Sequence, residues 1–492
     1  MARPWILAVD QGTTGTTCLL VDLDGRVHRR AYREVAVRYP RPGWVEQDAE
    51  ALWRSVCEAT RELLDGADEA PVAIGITNQR ETVVVAERAT LTPVAPAIVW
   101  QCRRSAAICA EHRAKGEEPE LRHRTGLLLD PYFSATKIEW LLREQPELRP
   151  RAERGELLAT TVDGWLVARM TGGRTTGIDA SNASRTLLYD LHRGDIDRDL
   201  CGVFGVPRAL LPPVVGSAAR VGTTDPSSFL GLELPITGIA GDQQAALFGQ
   251  ACLRPGMAKN TYGTGSFVLV NAGTEAVEPG HGLLTTVAWR AGGGDVFALE
   301  GSIFTTGAAL RWLRDGLGFI ASYEELGPLV DSVPDTAGVH FVPALAGLGA
   351  PFWDPDARAA FLGITAGVTR AHLVRAVVES IALRTRDVVE AMEAAGAPRF
   401  TELRVDGGAS VMDVLCRIQA DLLGLPVARA STSETTAVGA AMLAAVGAGL
   451  RTLDEVASTW TSGARFDPAT PGTRPEAPYR AWQDAVARVR TA

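Results

Sequence analysis

Hydrophobic and polar positions in the first forty residues follow the two-residue period of β-strands. Residues 6–22 predict a strand, a turn rich in Gly and Thr, and a second strand, with Asp10 where the first strand ends. Asp24-Gly25 is a tight-turn signal, and residues 26–37 predict a third strand. The three strands together predict an antiparallel meander.

A helical period replaces this pattern after Asp48, which we expect to cap a helix. Leu52, Val56, Ala59 and Leu63 recur at helical spacing behind it. Further elements are predicted as strands at residues 72–77, 82–86, 97–100 and 236–240, and as helices at residues 137–143 and 243–250. Residues 205–235 are rich in Pro, Gly and Ser and predict an irregular surface connection. The alternation is typical of a mixed α/β fold.

The meander pattern recurs in the second part of the chain. Residues 258–271 again place a Gly/Thr turn between two strands, and two more strands are predicted at residues 284–289 and 296–300. The C-terminal part predicts a helix at residues 372–395, a strand at 403–406, a helix ending at 423 and an Ala/Gly-rich helix from 436. This recurrence predicts two similar domains, residues 1–250 and 251–492, around one cleft. Because any two meanders look alike, the pattern alone leaves an accidental likeness open.

Length and composition narrow the classes of function. The chain has 492 residues, which is too long for a single core. No apolar run reaches the roughly 18 residues of a membrane span, and no apolar leader precedes the first strand, so we expect a cytoplasmic protein that is not membrane-inserted. The net charge of −9 opposes binding to nucleic acid and favours a small-molecule partner.

Several kinds of site are excluded by the absence of their motifs. The seven cysteines are scattered without a Cys-x-x-Cys pair, which supports neither a disulfide framework nor a zinc site, and we expect most of them to be small buried residues. No lysine follows Gly in a P-loop, no Gly-x-Gly-x-x-Gly opens a helix after a strand, and no His-Arg-Asp loop occurs. If ATP binds, a different fold must hold it.

The first Gly/Thr turn has the composition of a phosphate-binding loop. Its small residues leave main-chain N–H groups open to phosphate oxygens, and Asp10 beside it suits an accompanying Mg²⁺. An ordinary hairpin with a polar turn is the alternative. Gly407-Gly408-Ala409, between a strand and a helix, leaves room for a flat group such as adenine, although Gly marks many such turns.

A set of longer motifs lies, in order, within a stretch of family similarity that runs from about residue 5 to about residue 485. They are Asp10-Gln-Gly-Thr-Thr, Pro42-Gly-Trp-Val-Glu-Gln-Asp48, Gly75-Ile-Thr-Asn-Gln-Arg-Glu-Thr82, Ile98-Val-Trp-Gln-Cys-Arg-Arg104, Asp130-Pro-Tyr-Phe-Ser134, Gly238-Ile-Ala-Gly-Asp-Gln-Gln-Ala-Ala-Leu-Phe-Gly249 and Asn260-Thr-Tyr-Gly-Thr-Gly265. Together they resemble the glycerol kinase family of carbohydrate kinases. The resemblance implies an α/β fold of two ribonuclease H-like domains, as in the actin-like ATPases, with a catalytic cleft between them.

The same resemblance implies ATP-dependent phosphorylation of glycerol to sn-glycerol 3-phosphate, with ATP and Mg²⁺, by a cytoplasmic homo-oligomer. Asp242 is the implied general base, and the implied metal ligands are Asp10 and Asp242. The implied glycerol site consists of Arg80, Glu81, Trp100, Tyr132, Asp242, Gln243 and Phe267. The implied ATP site consists of Thr13, Thr14, Gly15, Thr264, Gly265, Gly307, Arg311 and Gly408.

Each of these residues also has a plainer interpretation. Adjacent Arg80 and Glu81 are typical of a solvated surface pair, aromatic residues in strands are typical of a core, and Asp242 is placed to cap a helix. A kinase for another polyol or ketose is the first alternative function. A non-catalytic actin- or Hsp70-like ATP-binding regulator is the second, and it would gain nothing from a base at Asp242.

Some positions depart from the family pattern. Thr17, Arg311 and Met412 differ from many relatives, which leaves the adenosine contacts open. Relatives inhibited by fructose 1,6-bisphosphate carry a Gly-rich loop with Lys and Arg before the strand that leads to the base. This chain has Pro226-Ser-Ser-Phe-Leu-Gly-Leu-Glu233 there, and we expect it to be insensitive to that compound.

Overall fold

Strands and helices alternate along the computed structural model, which describes residues 4–67 and 70–491. The strands of the first half are β1 (Trp5–Gln11), β2 (Gly15–Asp22), β3 (Val27–Glu34), β4 (Glu46–Gln47), β5 (Pro71–Asn78), β6 (Val83–Glu87), β7 (Ala97–Ile98), β8 (Leu157–Thr161), β9 (Ile178–Asp179), β10 (Tyr189–Asp190), β11 (Asp195–Ile196), β12 (Val214–Val215), β13 (Ala218–Thr223) and β14 (Pro235–Gly241). Those of the second half are β15 (Ala258–Tyr262), β16 (Ser266–Gly273), β17 (Leu284–Ala291), β18 (Gly294–Ile303), β19 (His340–Val342), β20 (Ala360–Leu362), β21 (Leu403–Asp406), β22 (Val427–Ala430) and β23 (Ser462–Phe466).

The α-helices lie between these strands and cover the sheets. They are α1 (Ala49–Leu64), α2 (Ala106–Ala114), α3 (Glu118–Thr125), α4 (Ser134–Glu144), α5 (Leu148–Glu153), α6 (Val162–Met170), α7 (Ala180–Ala183), α8 (Arg198–Val203), α9 (Asp242–Gly249), α10 (Gly307–Arg311), α11 (Leu326–Asp331), α12 (Arg370–Ala394), α13 (Asp413–Leu423), α14 (Thr435–Gly447), α15 (Leu453–Thr459) and α16 (Glu476–Ala487). The predicted mixed α/β alternation is confirmed.

One topology occurs twice in the largest sheet, which has thirteen strands within the described residues, in the order β23-β22-β21-β15-β16-β18-β17-β13-β14-β5-β1-β2-β3. In the first half the antiparallel meander β1-β2-β3 is joined by β5 and β14, which run parallel to β1. In the second half the antiparallel set β15-β16-β18 is joined by β21 and β22, which run parallel to β15. The predicted recurrence of the meander is therefore confirmed in its topology.

Strand β1 is buried on both faces, which explains its nearly continuous apolar sequence. Helix α1 covers one face, and its Asp48 cap accepts a hydrogen bond from the main-chain N–H of Glu50, as predicted. Helix α14 covers the other face. The strand that carries Asp10 is thus held between two helices.

Helix α14 comes from the second half of the chain but packs on β1, β5, β14 and α9 of the first half. Two glycines permit this approach. A Cβ at Gly75 would lie 2.2 Å from Ala440 O, and one at Gly439 would lie 1.9 Å from Ala245 O. The boundary after residue 250 stays a prediction, and α14 makes contacts across it. Residues 1–3, 68–69 and 492 of the two predicted domains lie outside the described residues.

Residues 205–235 are more regular than their composition predicts. They contain β12, which pairs with β9, and β13, which joins the main sheet beside β14. The prediction of an irregular connection was wrong for these strands. The register of β13 shifts between Ala218 and Gly222 and most of its residues are half-buried, so the strand lacks a clear alternation.

All seven cysteines are free, and all except the partly buried Cys57 are buried, as expected for small apolar residues. Among the described residues, no helix has both the length and the apolar character needed to cross a membrane.

Candidate active site

The two Gly/Thr turns, at the tips of hairpins β1-β2 and β15-β16, are each closed by a main-chain hydrogen bond between two glycines. Gly12 N donates to Gly15 O at 2.9 Å, and Gly263 N donates to Gly265 O at 2.8 Å. Thr14 and Thr264 are exposed at the two tips. Each turn therefore presents small residues and main-chain groups to solvent, as a phosphate-binding loop requires.

The first turn is held by side chains from other elements. Thr13 Oγ1 accepts a hydrogen bond from Trp100 Nε1 at 2.9 Å, and Thr13 O accepts one from Gln47 Nε2 at 2.6 Å. The Trp100 ring meets Tyr132 edge to face, with centroids 5.7 Å apart. A candidate phosphate-binding residue thus contacts one candidate glycerol-binding residue, Trp100, which in turn packs against a second, Tyr132.

The second turn packs against the start of α10. Gly307 N donates to Gly263 O at 3.0 Å, and a Cβ at Gly307 would lie 2.6 Å from that oxygen. A Cβ at Gly265 would lie 2.2 Å from Ile303 O. These approaches explain why Gly stands at both positions.

Arg80 and Glu81 follow β5 and are 3% and 1% exposed, which excludes the solvated surface pair as their interpretation. Arg80 Nε lies 3.1 Å from Asp242 Oδ1, and the Arg80 guanidinium lies 5.8 Å from the Phe267 ring centroid. Glu81 Oε1 accepts a hydrogen bond from Arg185 Nε at 2.6 Å. The motif residues therefore belong to one buried ionic cluster.

Three members of this cluster were not among the predicted site residues. Glu300 on β18 pairs with both Arg80 and Arg185, and Lys259 on β15 donates to Gln243 Oε1 at 2.5 Å. Glu300, Arg185 and Lys259 are all 0% exposed. A charged residue within an apolar strand pattern, as at Lys259 and Glu300, was the available signal, because lone charges are seldom fully buried without a function or a partner.

Asp242 is the first residue of α9, and the residue at the N-cap position is Gly241. Asp242 therefore does not occupy the N-cap position in the structure, although its Oδ1 accepts a hydrogen bond from Gln243 N at 2.7 Å. The Asp242 side chain is 33% exposed, whereas its partner Arg80 is buried. A carboxylate at this place can both meet a substrate and stay paired with the protein.

Gln243 is oriented by its contact with Lys259. An ammonium group only donates hydrogen bonds, so the Gln243 side-chain oxygen faces Lys259 and its Nε2 group faces away as a donor. Burial lowers the pKa of Lys259 to about 8, although Asp406, Asp242 and Glu300 oppose the shift.

Asp10 lies at the end of β1 in an acidic environment. Burial raises its pKa to about 8, and the carboxylates of Asp242 and Glu434 contribute to the increase. Oxygen ligands with excess negative charge suit Mg²⁺. In the part of the chain that the structure describes, no three His, Cys, Asp or Glu side chains are grouped to hold a metal. The carboxylates of Asp10 and Asp242 nevertheless fit Mg²⁺, because in kinase sites this ion takes most of its ligands from water and phosphate.

The candidate adenosine residues are less connected. Nothing lies within 4 Å of a Cβ built on Gly408, whereas Gly407 has φ +85 and a Cβ there would lie 2.5 Å from Tyr262 O. Arg311 is exposed at the end of α10. Within residues 4–67 and 70–491, no hydrogen bond or ion pair joins Arg311 or Gly408 to the ionic cluster.

Comparison with known proteins identifies relatives along the whole chain. Residues 5–249 match the N-terminal domain, and residues 258–448 the C-terminal domain, of the FGGY family of carbohydrate kinases. Glycerol kinase 2 of Thermotoga maritima is 50% identical over 488 residues, which are 98% of each chain. The glycerol kinase of Carboxydothermus hydrogenoformans is 49% identical over 494 residues, covering 100% of this chain and 99% of that one.

A solved structure with the same fold is the crystal structure of Plasmodium falciparum glycerol kinase with ADP. It aligns with a TM-score of 0.93 at 33% identity, covering 99% of this chain and 98% of that chain. The predicted two-domain α/β fold of the actin-like ATPase type is confirmed by these matches.

Proposed function

Because the chain belongs to the FGGY family of carbohydrate kinases, we propose that it phosphorylates glycerol with ATP to give sn-glycerol 3-phosphate. The observation that carries this proposal is the cluster formed by the buried Arg80 and Glu81 and the partly exposed Asp242 beside Phe267, in a chain half identical to named glycerol kinases. A small polyol needs a few fixed polar groups on one side and apolar walls on the other. The cluster supplies the polar groups, and Phe267, Trp100 and Tyr132 supply the walls.

Asp242 acts as the general base in this proposal. Its Oδ1 is occupied by Arg80 Nε at 3.1 Å and by the main-chain N–H of Gln243 at 2.7 Å, which leaves Oδ2 for the attacking hydroxyl. Arg80 keeps the carboxylate oriented, and Oδ2 accepts the proton as the hydroxyl oxygen attacks the γ-phosphorus and the bond from that phosphorus to the ADP oxygen breaks. The Nε2 group of Gln243 holds a second hydroxyl, so the acceptor meets the phosphate in a fixed geometry.

The two Gly/Thr turns bind the phosphates of ATP from two sides. We assign this role to the main-chain N–H groups and hydroxyls of Thr13, Thr14 and Thr264 and to the open backbone at Gly15 and Gly265. The adenosine side is assigned to Gly307, Arg311 and Gly408. Asp10 and Asp242 would hold Mg²⁺, which when bound neutralises negative charge on the phosphates.

The cellular setting follows from the same assignment. The substrate ATP and the seven free cysteines suit the reducing cytoplasm, where we place the enzyme. The homo-oligomer implied by the resemblance stays a prediction.

A coupled assay of ADP release tests the function. The chain is supplied with Mg²⁺ and ATP and with glycerol, dihydroxyacetone, xylulose or gluconate as the acceptor, and a sample without acceptor measures ATP hydrolysis. We expect the highest kcat/KM with glycerol. A higher kcat/KM with another acceptor would assign the chain to a sister kinase. If no acceptor led to ADP release, a non-catalytic ATP-binding protein would be favoured instead.

A further inference from the structure

Glu300 is a fully buried carboxylate that joins the two halves of the chain. It lies on β18 of the second half, and its partners Arg80 and Arg185 belong to the first half. Its Oε2 lies 2.5 Å from Arg80 Nη1, and its Oε1 lies 3.2 Å from Arg80 Nη2 and 3.0 Å from Arg185 Nη2. Ser302 Oγ donates a further hydrogen bond to Oε1 at 3.3 Å. Both oxygens of Glu300 are therefore occupied by protein donors.

This contact uses one edge of the Arg80 guanidinium and leaves the other edge available to Asp242. Glu300 binds the edge formed by Nη1 and Nη2, and Gln244 Oε1 accepts from Nη1 at 3.3 Å. The remaining edge, formed by Nε and the second N–H of Nη2, faces Asp242, with Nε at 3.1 Å from Oδ1. Because the guanidinium is rigid and planar, fixing one edge fixes the direction of the other.

We propose that Glu300 is a positioning residue for the phosphoryl acceptor, because it turns the free edge of Arg80 toward Asp242 and the place where the polyol binds. The inference rests on the proposed function. Glu300 itself does not touch the substrate. It transmits the position of β18 in the second half to the acceptor site in the first half, so acceptor binding depends on the packing of the two halves.

The charges around Glu300 support this role. Arg80 and Arg185 are like charges held in one buried place, and Glu300 lies between them. Burial by itself would raise the pKa of Glu300, but Arg185 and Arg80 outweigh that effect and hold the pKa at about 2. The carboxylate is therefore ionised at every working pH. Without its charge, the Nη1 and Nη2 edge of Arg80 would lose the partner that fixes it, and the direction of the Nε edge would no longer be set.

The test replaces the charge while keeping the shape, in Glu300→Gln, and measures KM and kcat for glycerol and KM for ATP. Loss of a charged hydrogen-bond partner is expected to raise the glycerol KM by about tenfold or more. The ATP KM is expected to stay unchanged, because Arg80 lies in the acceptor site. Glu300→Asp keeps the charge on a shorter side chain and should recover part of the glycerol affinity.

A matched control is Asp387→Asn, which removes the charge of another buried carboxylate paired with an arginine, Arg384 at 2.6 Å. It should lower the melting temperature and leave the glycerol KM unchanged.

Equal glycerol KM values for the parent and a folded Glu300→Gln protein would overturn the positioning role while the glycerol kinase function stands. If Glu300→Gln does not fold, an unchanged glycerol KM in Glu300→Asp overturns the role instead. A parent that phosphorylates another acceptor in place of glycerol overturns the proposed function. The KM values of the parent and of Glu300→Gln are then compared with that acceptor. A parent inactive with every acceptor overturns both.

Discussion

The proposed acceptor end of the site is built from buried, paired side chains, whereas the proposed nucleotide end is built from glycines and exposed residues. Arg80 and Glu81 are 3% and 1% exposed and are held by ion pairs from both halves of the chain. At the other end Thr264, Gly408 and Arg311 are exposed. The two ends therefore differ in how far the protein fixes its groups before a substrate arrives.

This difference follows from the number of groups that each substrate offers for binding. Glycerol offers three hydroxyls, so each contact must be held in place to discriminate and orient it. ATP offers many phosphate oxygens that main-chain N–H groups bind whatever the side chain is. We therefore infer that the nucleotide end tolerates departures such as Thr17, Arg311 and Met412, and that substitutions at the acceptor end have larger effects.

The largest effect is expected for Asp242→Asn. Asparagine keeps the shape of the side chain but does not accept a proton at neutral pH, so kcat should fall by roughly 10²–10⁴-fold. ATP binding, measured by calorimetry, should largely survive. Asp315→Asn, which changes an exposed Asp paired with Arg314, serves as the control and should leave kcat unchanged. Turnover near the parent value in a folded Asp242→Asn protein would remove Asp242 from the role of base.

The polar ends of the predicted strands and helices could be found from sequence because each signal is local. Asp10 and Asp242 stand where an apolar run meets a change of period, and both lie at such junctions in the structure. The pairing of Glu300 with Arg80 could not be found in this way, because the two residues are 220 positions apart and only the fold brings them together. The packing of α14 on the sheet of the first half is equally non-local, since it depends on glycines such as Gly75, which lies in β5 and is far from α14 in the sequence.

A smaller effect at the acceptor end is expected for Lys259→Met. Without the ammonium group the Gln243 amide can turn over, and loss of this hydrogen bond should raise the glycerol KM by roughly three- to tenfold at pH 7. Above about pH 8 the parent Lys259 loses its proton and can accept as well as donate, so it no longer fixes the amide. The ratio of variant to parent KM should therefore fall as the pH rises through about 8.

The ratio of variant to parent glycerol KM is measured because Asp10 and Lys137 also have pKa values of about 8. Their titration affects the parent and the Lys259→Met variant alike and so cancels in the ratio. Asp406, Asp242, Glu300 and Arg80 face Lys259 and are unchanged in the variant. Lys115→Met alters an exposed lysine and is the matched control. A ratio that is the same at pH 7 and pH 9 would show that Lys259 does not orient Gln243 through its charge.

At the nucleotide end, Gly408→Ala is expected to have a still smaller effect. No protein atom lies within 4 Å of the added methyl group, so the melting temperature should not change. If adenosine lies against this glycine, the methyl group meets the nucleotide alone and should raise the ATP KM by about two- to fivefold. Gly327→Ala adds a methyl group to equally open space in α11 and should leave the ATP KM unchanged. Equal ATP KM values for both variants would move the adenosine site away from Gly408.

No effect at all is expected from fructose 1,6-bisphosphate, because the loop at residues 226–233 contains no Lys or Arg and most of its main-chain N–H groups donate to neighbouring oxygens. The N–H groups of Ser228 and Phe229 donate to Asp225 O, that of Ser227 donates to Asp225 Oδ1, and that of Gly231 donates to Pro226 O. The Phe229 side chain is buried against Trp53, and the exposed Glu233 would repel an anion. Activity at sub-saturating glycerol should stay constant as millimolar fructose 1,6-bisphosphate is added. Severalfold inhibition that dilution reverses would mean that another surface of this chain binds the bisphosphate.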